Sequence, residues 1–331
     1  RVLGGTLFVL GSDVAGDLIR YRQGDPEAVK EKNKAEALWG FNSERPVYLF
    51  EDQLKDHQPS ERAADVIAMA LATEISTALG QPLSPLLPGG APGAIVITGD
   101  DDQADLEKYE EQLEILGNLP ITYFLHPKTR HTQETIRSML GSSDIDLGLH
   151  PDALESPDKY GKLLRKQVAW FKGFVGLKPE SIRNHGFLND GYWGHLRFWK
   201  KEGVKFSSNL PGLNGRVLNG SLLPARVAID NELTDHWSVL TAIGDGVVFA
   251  LKLNDRQSRQ VIQNLASSIR VSGIPGLIVV NLHPQNISET RPMHLALKEL
   301  VGEGFLAWNM SQCLEWFLAR DSQGVEKNDR K

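Results

Sequence analysis

The order of apolar and polar positions divides the chain into strand-like and helix-like segments. Residues 2–10 (VLGGTLFVL) form a nearly unbroken apolar run that predicts a buried strand, and residues 60–79 place Ala64, Ile67, Met69, Leu71 and Ile75 at helical spacing. Residues 80–93 (GQPLSPLLPGGAPG) concentrate prolines and glycines, which continue neither helix nor ladder, so a linker is expected there. Beyond it the alternation becomes regular. A strand at 94–98 is followed by a helix over 103–116, with Leu106, Tyr109, Leu113 and Leu116 on one face, and by a strand at 121–125. Residues 145–149 are apolar around one aspartate, 160–175 carry the stripe Leu164, Val168, Phe171 and Val175, and 182–187 read as extended. A helix over 257–270, a strand at 276–282, a helix over 294–301, a short strand at 305–308 and a closing helix over 310–320 complete the pattern.

Such alternation predicts an α/β fold, a parallel sheet covered by helices and either open or closed into a barrel. The expected division is a smaller N-terminal α/β segment over 1–88, a larger α/β unit over 89–321 and a flexible tail over 322–331. The first piece is small for a domain and begins abruptly on a strand, and the chain opens at Arg1 rather than at a methionine. A truncated remnant of something larger is therefore expected.

Composition narrows the function classes. A chain of 331 residues with 41% hydrophobic positions can bury a large core. Its formal net charge of -6 supplies no basic field for a polyanion, so no nucleic-acid partner is expected. The single cysteine, Cys313, rules out an intramolecular disulfide and any CxxC metal site, while leaving the compartment open. No apolar run reaches the roughly 18 residues of a membrane span.

The candidate chemistry lies at the ends of the predicted strands. These run into Asp100 and Asp101, His126, His150, Arg183 with His185, and His283. In parallel α/β folds the carboxyl ends of the strands open onto one face, so these side chains are expected to converge. Imidazoles together with carboxylates suit zinc, cobalt, nickel or iron(II) better than calcium. A cation would also relieve the mutual repulsion of Asp100, Asp101 and Asp102. An N-cap for the following helix is the role expected of Asp102, but three aspartates in a row exceed what a cap requires.

The segments TGDDD (98–102), GLHPD (148–152), RNHGF (183–187) and NLHPQ (281–285) resemble, in order and strand context, the motifs of the NodB-homology polysaccharide deacetylases, over roughly residues 93–320. The resemblance implies a deformed (β/α) barrel holding a divalent metal, zinc first among the candidates, and hydrolysis of an N- or O-acetyl group on a carbohydrate. It implies Asp100 as catalytic base, Asp101 as metal ligand, His150 as a second ligand, Arg183 as the arginine that orients the base, and His283 as the acid. A register shifted by one, with Asp101 as base and Asp102 as ligand, stays open, because the motif has Gly99 in place of an aromatic and Asp102 in place of glycine. The family's second metal histidine falls on Leu154, so a third ligand has to come from His185, the leading candidate, or from His126 or Asp152, or be absent.

Asp100 would then take a proton from an activated water and His283 would give one to the leaving group. Tyr192, Trp193 and Trp237 are candidates for stacking on sugar rings, and equally for core packing. Asp230 and Asp235 flank the segment in which the family carries an acidic partner for the acid histidine. Asn286-Ile287-Ser288 fits a glycosylation sequon. Residues 4–26 resemble the last strands of glutamine-amidotransferase-like domains but hold no Cys-His pair. The alternative to an enzyme is an inactive carbohydrate-binding or scaffolding module that has lost metal affinity with Leu154, and a third option is a metal-dependent amidohydrolase of small molecules. The motifs specify no sugar, acyl group or oligomeric state.

Overall fold

The computed structural model describes residues 10–30, 44–48, 61–212 and 216–326, so the strand expected at 2–10 falls almost wholly outside the described residues. Helix α1 (Val14–Gln23) starts at Asp13, whose carboxylate accepts from the Gly16 N–H at 3.0 Å. The short strands β1 (Val29–Lys30) and β2 (Arg45–Pro46) pair antiparallel, and α2 (Ala63–Leu79) ends on a left-handed Gly80.

The rest is built around a ten-stranded sheet. Its strands are β3 (Gly93–Asp100), β4 (Ile121–Leu125), β5 (Ile145–Leu149), β6 (Ser181–Ile182), β7 (Phe206–Pro211), β8 (Ala225–Ile229), β9 (Glu232–Thr241), β10 (Ile243–Gly244), β11 (Gly276–Asn281) and β12 (Leu306–Trp308). They run in the order β10-β11-β3-β4-β5-β6-β7-β9-β8, with β12 paired to the first half of β3 and all neighbours parallel except β8 and β9. Strand β9 runs on into β10 through Ala242, whose N–H donates to Val279 O at 2.9 Å. One continuous stretch thus pairs β7 on one side and β11 on the other, closing the sheet into a deformed barrel.

Period-two alternation sorts the side chains. Ile95, Ile97, Ile278 and Val280 pack outward with the covering helices, among them α3 (Leu106–Leu116), α4 (Gln133–Leu140), α5 (Tyr160–Val175), α6 (Leu196–Glu202), α7 (Gly246–Ala250), α8 (Asp255–Ser272) and α9 (Ile287–Gly302). Ala94, Val96, Phe124, Phe206, Trp237, Val239, Leu277 and Val279 form the other cluster, inside the ring, together with Leu87 and with Met310, Cys313, Leu314 and Phe317 of α10 (Met310–Glu326). The same parity carries Asp100 and Asn281 inward at the carboxyl ends of β3 and β11. An apolar floor and a polar mouth result.

Several boundaries differ from the sequence expectation. The helix expected from 103 begins at Leu106, because Asp102 and Gln103 take left-handed φ values of 40° and 62° and turn the chain before the helix can start. Residues 182–187 are extended only at Ser181–Ile182, then tighten into the turn His185–Phe187. The last helix extends to Glu326, through residues expected to fray. The N-terminal segment is tied down by Asp65, which is fully buried and accepts from Arg62, Ser221 and the Leu222 N–H.

Candidate active site at the barrel mouth

Each predicted strand end delivers its polar group to one place, as the parallel topology requires. Asp100 lies at the centre. Arg183 Nη1 donates to its Oδ1 at 2.9 Å, and Asn281 Nδ2 donates to its Oδ2 at 2.7 Å. Arg183 is itself fixed by Ser208 and Thr241, next-door interior positions on β7 and β9. Burial favours the protonated acid at Asp100, but the charges of His150, Arg183 and His283 override it and hold the pKa below the usual value, so the group is an anion at neutral pH.

Asp102, not Asp101, turns toward the histidines. Its Oδ1 stands 3.2 Å from His150 Nε2 and 3.6 Å from His185 Nε2, and the three donors form one compact group. The backbone turn at Asp102 and Gln103 is what swings this carboxylate back over the barrel mouth. Asp101, expected among the ligands, is instead held on the far side of the strand, where its Oδ2 accepts from the His126 N–H at 3.1 Å and its Oδ1 from the Tyr109 hydroxyl. Burial pushes its pKa up, against those hydrogen bonds. Asp102 is likewise not the helix cap it resembled. Its pKa, opposed by burial, is driven well below the usual range by His150 and His283.

The donor set fits a divalent cation. His150 Nδ1 donates to Arg183 O at 2.7 Å, which leaves Nε2 as the ring atom facing Asp102. Asp102 Oδ1 and His150 Nε2 are both buried, and neither makes a hydrogen bond. Tetrahedral zinc with bonds of about 2.0–2.2 Å sets its ligand atoms roughly 3.3–3.6 Å apart, close to the spacings here. Burial opposes a charge on His150, but Asp100 and Asp102 raise its pKa, so this pocket attracts positive charge in any form.

His283 stands on the other side of Asp102, its Nε2 3.3 Å from Asp102 Oδ2 and 3.8 Å from Asp100 Oδ2. Behind it, Asp245 accepts from His283 Nδ1 and from the His283 N–H, both at 2.8 Å, and Asn286 Nδ2 donates to the same carboxylate at 3.0 Å. Burial alone would lower the pKa of His283, but Asp245, Asp102 and Asp100 hold it well above 6.5. Asp245 follows β10 directly, beyond Asp230 and Asp235 where an acidic partner was expected. Its signal in the sequence is another strand end running into an acid, TAIGD. The sequon asparagine is the same Asn286 that braces Asp245.

The aromatic candidates lie elsewhere. Trp237 sits midway along β9, inside the barrel against Phe317 and Phe206, because its parity and position put it on the apolar floor. Trp193 Nε1 donates to Gln23 O, and the Tyr192 hydroxyl accepts from Gln23 Nε2, so both rings fasten α1 to the barrel.

Among solved structures the chain is similar to a protein from Mycobacterium smegmatis described as a polysaccharide deacetylase, at 19% identity and a TM-score of 0.55, over 73% of this chain and 96% of that one. A Pseudomonas aeruginosa protein of the same description matches at 12% identity and a TM-score of 0.55, over 72% and 94%. The fold is that of the polysaccharide deacetylases. It is shared with PuuE allantoinase, at 12% identity, a TM-score of 0.55 and coverage of 72% and 94%. No protein-family model and no curated protein matches the sequence.

Proposed function

We propose that the chain is a divergent polysaccharide deacetylase, a hydrolase that removes acetyl groups from a carbohydrate with the help of one divalent metal ion, zinc first. The observation that carries this reading is the buried, hydrogen-bond-free pair of Asp102 Oδ1 and His150 Nε2, set between an anionic Asp100 and a proton-rich His283. Asp102, His150 and His185 would hold the ion, which supplies Lewis acidity toward an acyl oxygen and lowers the pKa of water.

The protein's own groups divide the remaining work. Asp100, kept ionised by Arg183 and aimed by Asn281, accepts the proton of the attacking water. His283, charged and held by Asp245, donates a proton from Nε2 to the departing amine or alkoxide. Arg183 contacts no reacting atom. It keeps Asp100 anionic although that carboxylate is buried. The role of His185 as third ligand fills the gap left by Leu154.

The test is acetate release from a panel of acetylated oligosaccharides with zinc, cobalt or nickel added. Turnover that a chelator abolishes and metal restores supports the reading. A metal-free protein that binds the same oligosaccharides without releasing acetate supports the binding module, and turnover confined to small acetamides supports an amidohydrolase.

A further inference from the structure

A second set of donors adjoins the first: His126, Asp152 and His185 bring ligand atoms as close together as Asp102, His150 and His185 do. Two ions, or one ion with an orienting network, would account for this. The hydrogen bonds separate the two. The Lys128 N–H donates to His126 Nδ1 at 3.0 Å, so the lone pair of that nitrogen is taken and the neutral ring carries its proton on Nε2. That Nε2 faces Asp152 Oδ2 at 3.4 Å as a donor, which is incompatible with metal ligation. The other carboxylate oxygen, Asp152 Oδ1, lies 3.4 Å from His185 Nδ1, on the side of the ring opposite the Nε2 that faces Asp102.

Asp152 is well braced for this position. Its Oδ1 accepts from the Leu154 N–H at 3.1 Å, and Gln167 clasps its main chain through both N–H and C=O. A proton drawn to His185 Nδ1 leaves the Nε2 lone pair directed at Asp102.

We propose that Asp152, backed by His126, is the positioning residue that fixes the tautomer and orientation of His185, and that this arrangement lets a histidine from the arginine loop act in place of the ligand lost at Leu154. The inference rests on reading Asp102, His150 and His185 as the ligands of one ion.

Two measurements test it. In metal-free protein with nitrogen-labelled histidine, NMR is expected to show His185 protonated on Nδ1, a mixture of tautomers in Asp152→Ala, and restoration in Asp152→Glu. In competition with a chromophoric chelator, zinc affinity is expected to fall about ten- to a hundredfold in Asp152→Ala, and less in His126→Gln. An Nε2-protonated His185 in the wild type, or a tautomer unchanged in Asp152→Ala, overturns the proposal whatever zinc does. A second equivalent of zinc in the wild type that disappears in His126→Gln overturns it in favour of a second ion. A wild type that binds no zinc yet shows the Asp152-dependent tautomer supports the positioning and defeats the functional reading instead.

Discussion

Arg183 Nη1 donates to Asp100 Oδ1 at 2.9 Å, and both side chains are shut off from solvent. Removing one member of such a buried pair strands the other charge, at a cost of about 3–5 kcal/mol. Arg183→Met is expected to lower unfolding stability by about that amount, and the Asp100→Asn/Arg183→Met double variant to recover part of it. Urea denaturation of the two single variants and the double variant measures the coupling. Equal stabilities of Arg183→Met and wild type would show that the pair contributes nothing.

Asp245 sets the direction of His283, since its carboxylate accepts from Nδ1 and leaves Nε2 pointing at the two aspartates. An amide at this position can present its NH2 to Nδ1 and favour the wrong tautomer. Asp245→Asn is expected to lower kcat by about 10²–10⁴-fold with little change in KM. Steady-state kinetics on an active acetylated substrate read this directly, and an unchanged kcat would remove Asp245 from the machinery.

Away from the mouth, His236 sits between Val204 O at 3.2 Å and Ser207 Oγ at 2.9 Å, and His294 accepts from Gln112 Nε2 at 3.0 Å. Burial pulls both rings down to about 4 from 6.5. Because the folded values are depressed, the stability they contribute is complete above about 6.5 and is lost as pH falls from there through about 4. The loss is of the order of 1–3 kcal/mol for each ring. Urea midpoints measured at about pH 7 and about pH 5 should fall with acidity, and less steeply in His236→Gln. Parallel pH profiles for wild type and variant would show that His236 is not buried neutral.

Regular alternation and helical stripes make the barrel readable, as the match at Tyr160–Val175 and Ile121–Leu125 illustrates. Asp100, His150, Arg183, His185 and His283 are legible because each ends a predicted strand of a parallel sheet, and period-two parity sends them inward. The sequence leaves open which of Asp101 and Asp102 turns to the histidines. Asp101 and Asp102 differ only by a backbone turn with positive φ, and no residue type in GDDDQ announces it. Trp237 reads in the sequence as a stacking or a core aromatic alike, because weak alternation in β8 and β9 hides the strand that places it on the barrel floor. Gly99, where the resembled motif has an aromatic, is explained by contact: a Cβ there would lie 2.9 Å from Leu282 O and 3.2 Å from the Tyr123 ring.

The account stands on Asp102, His150 and His185 sharing one cation. Metal analysis of purified protein after dialysis against zinc, for wild type, Asp102→Ala, His150→Ala and Asp101→Asn, tests this most directly. One equivalent of zinc is expected in the wild type and in Asp101→Asn, and none in the other two. Zinc retained by Asp102→Ala, or absent from the wild type, would contradict the account.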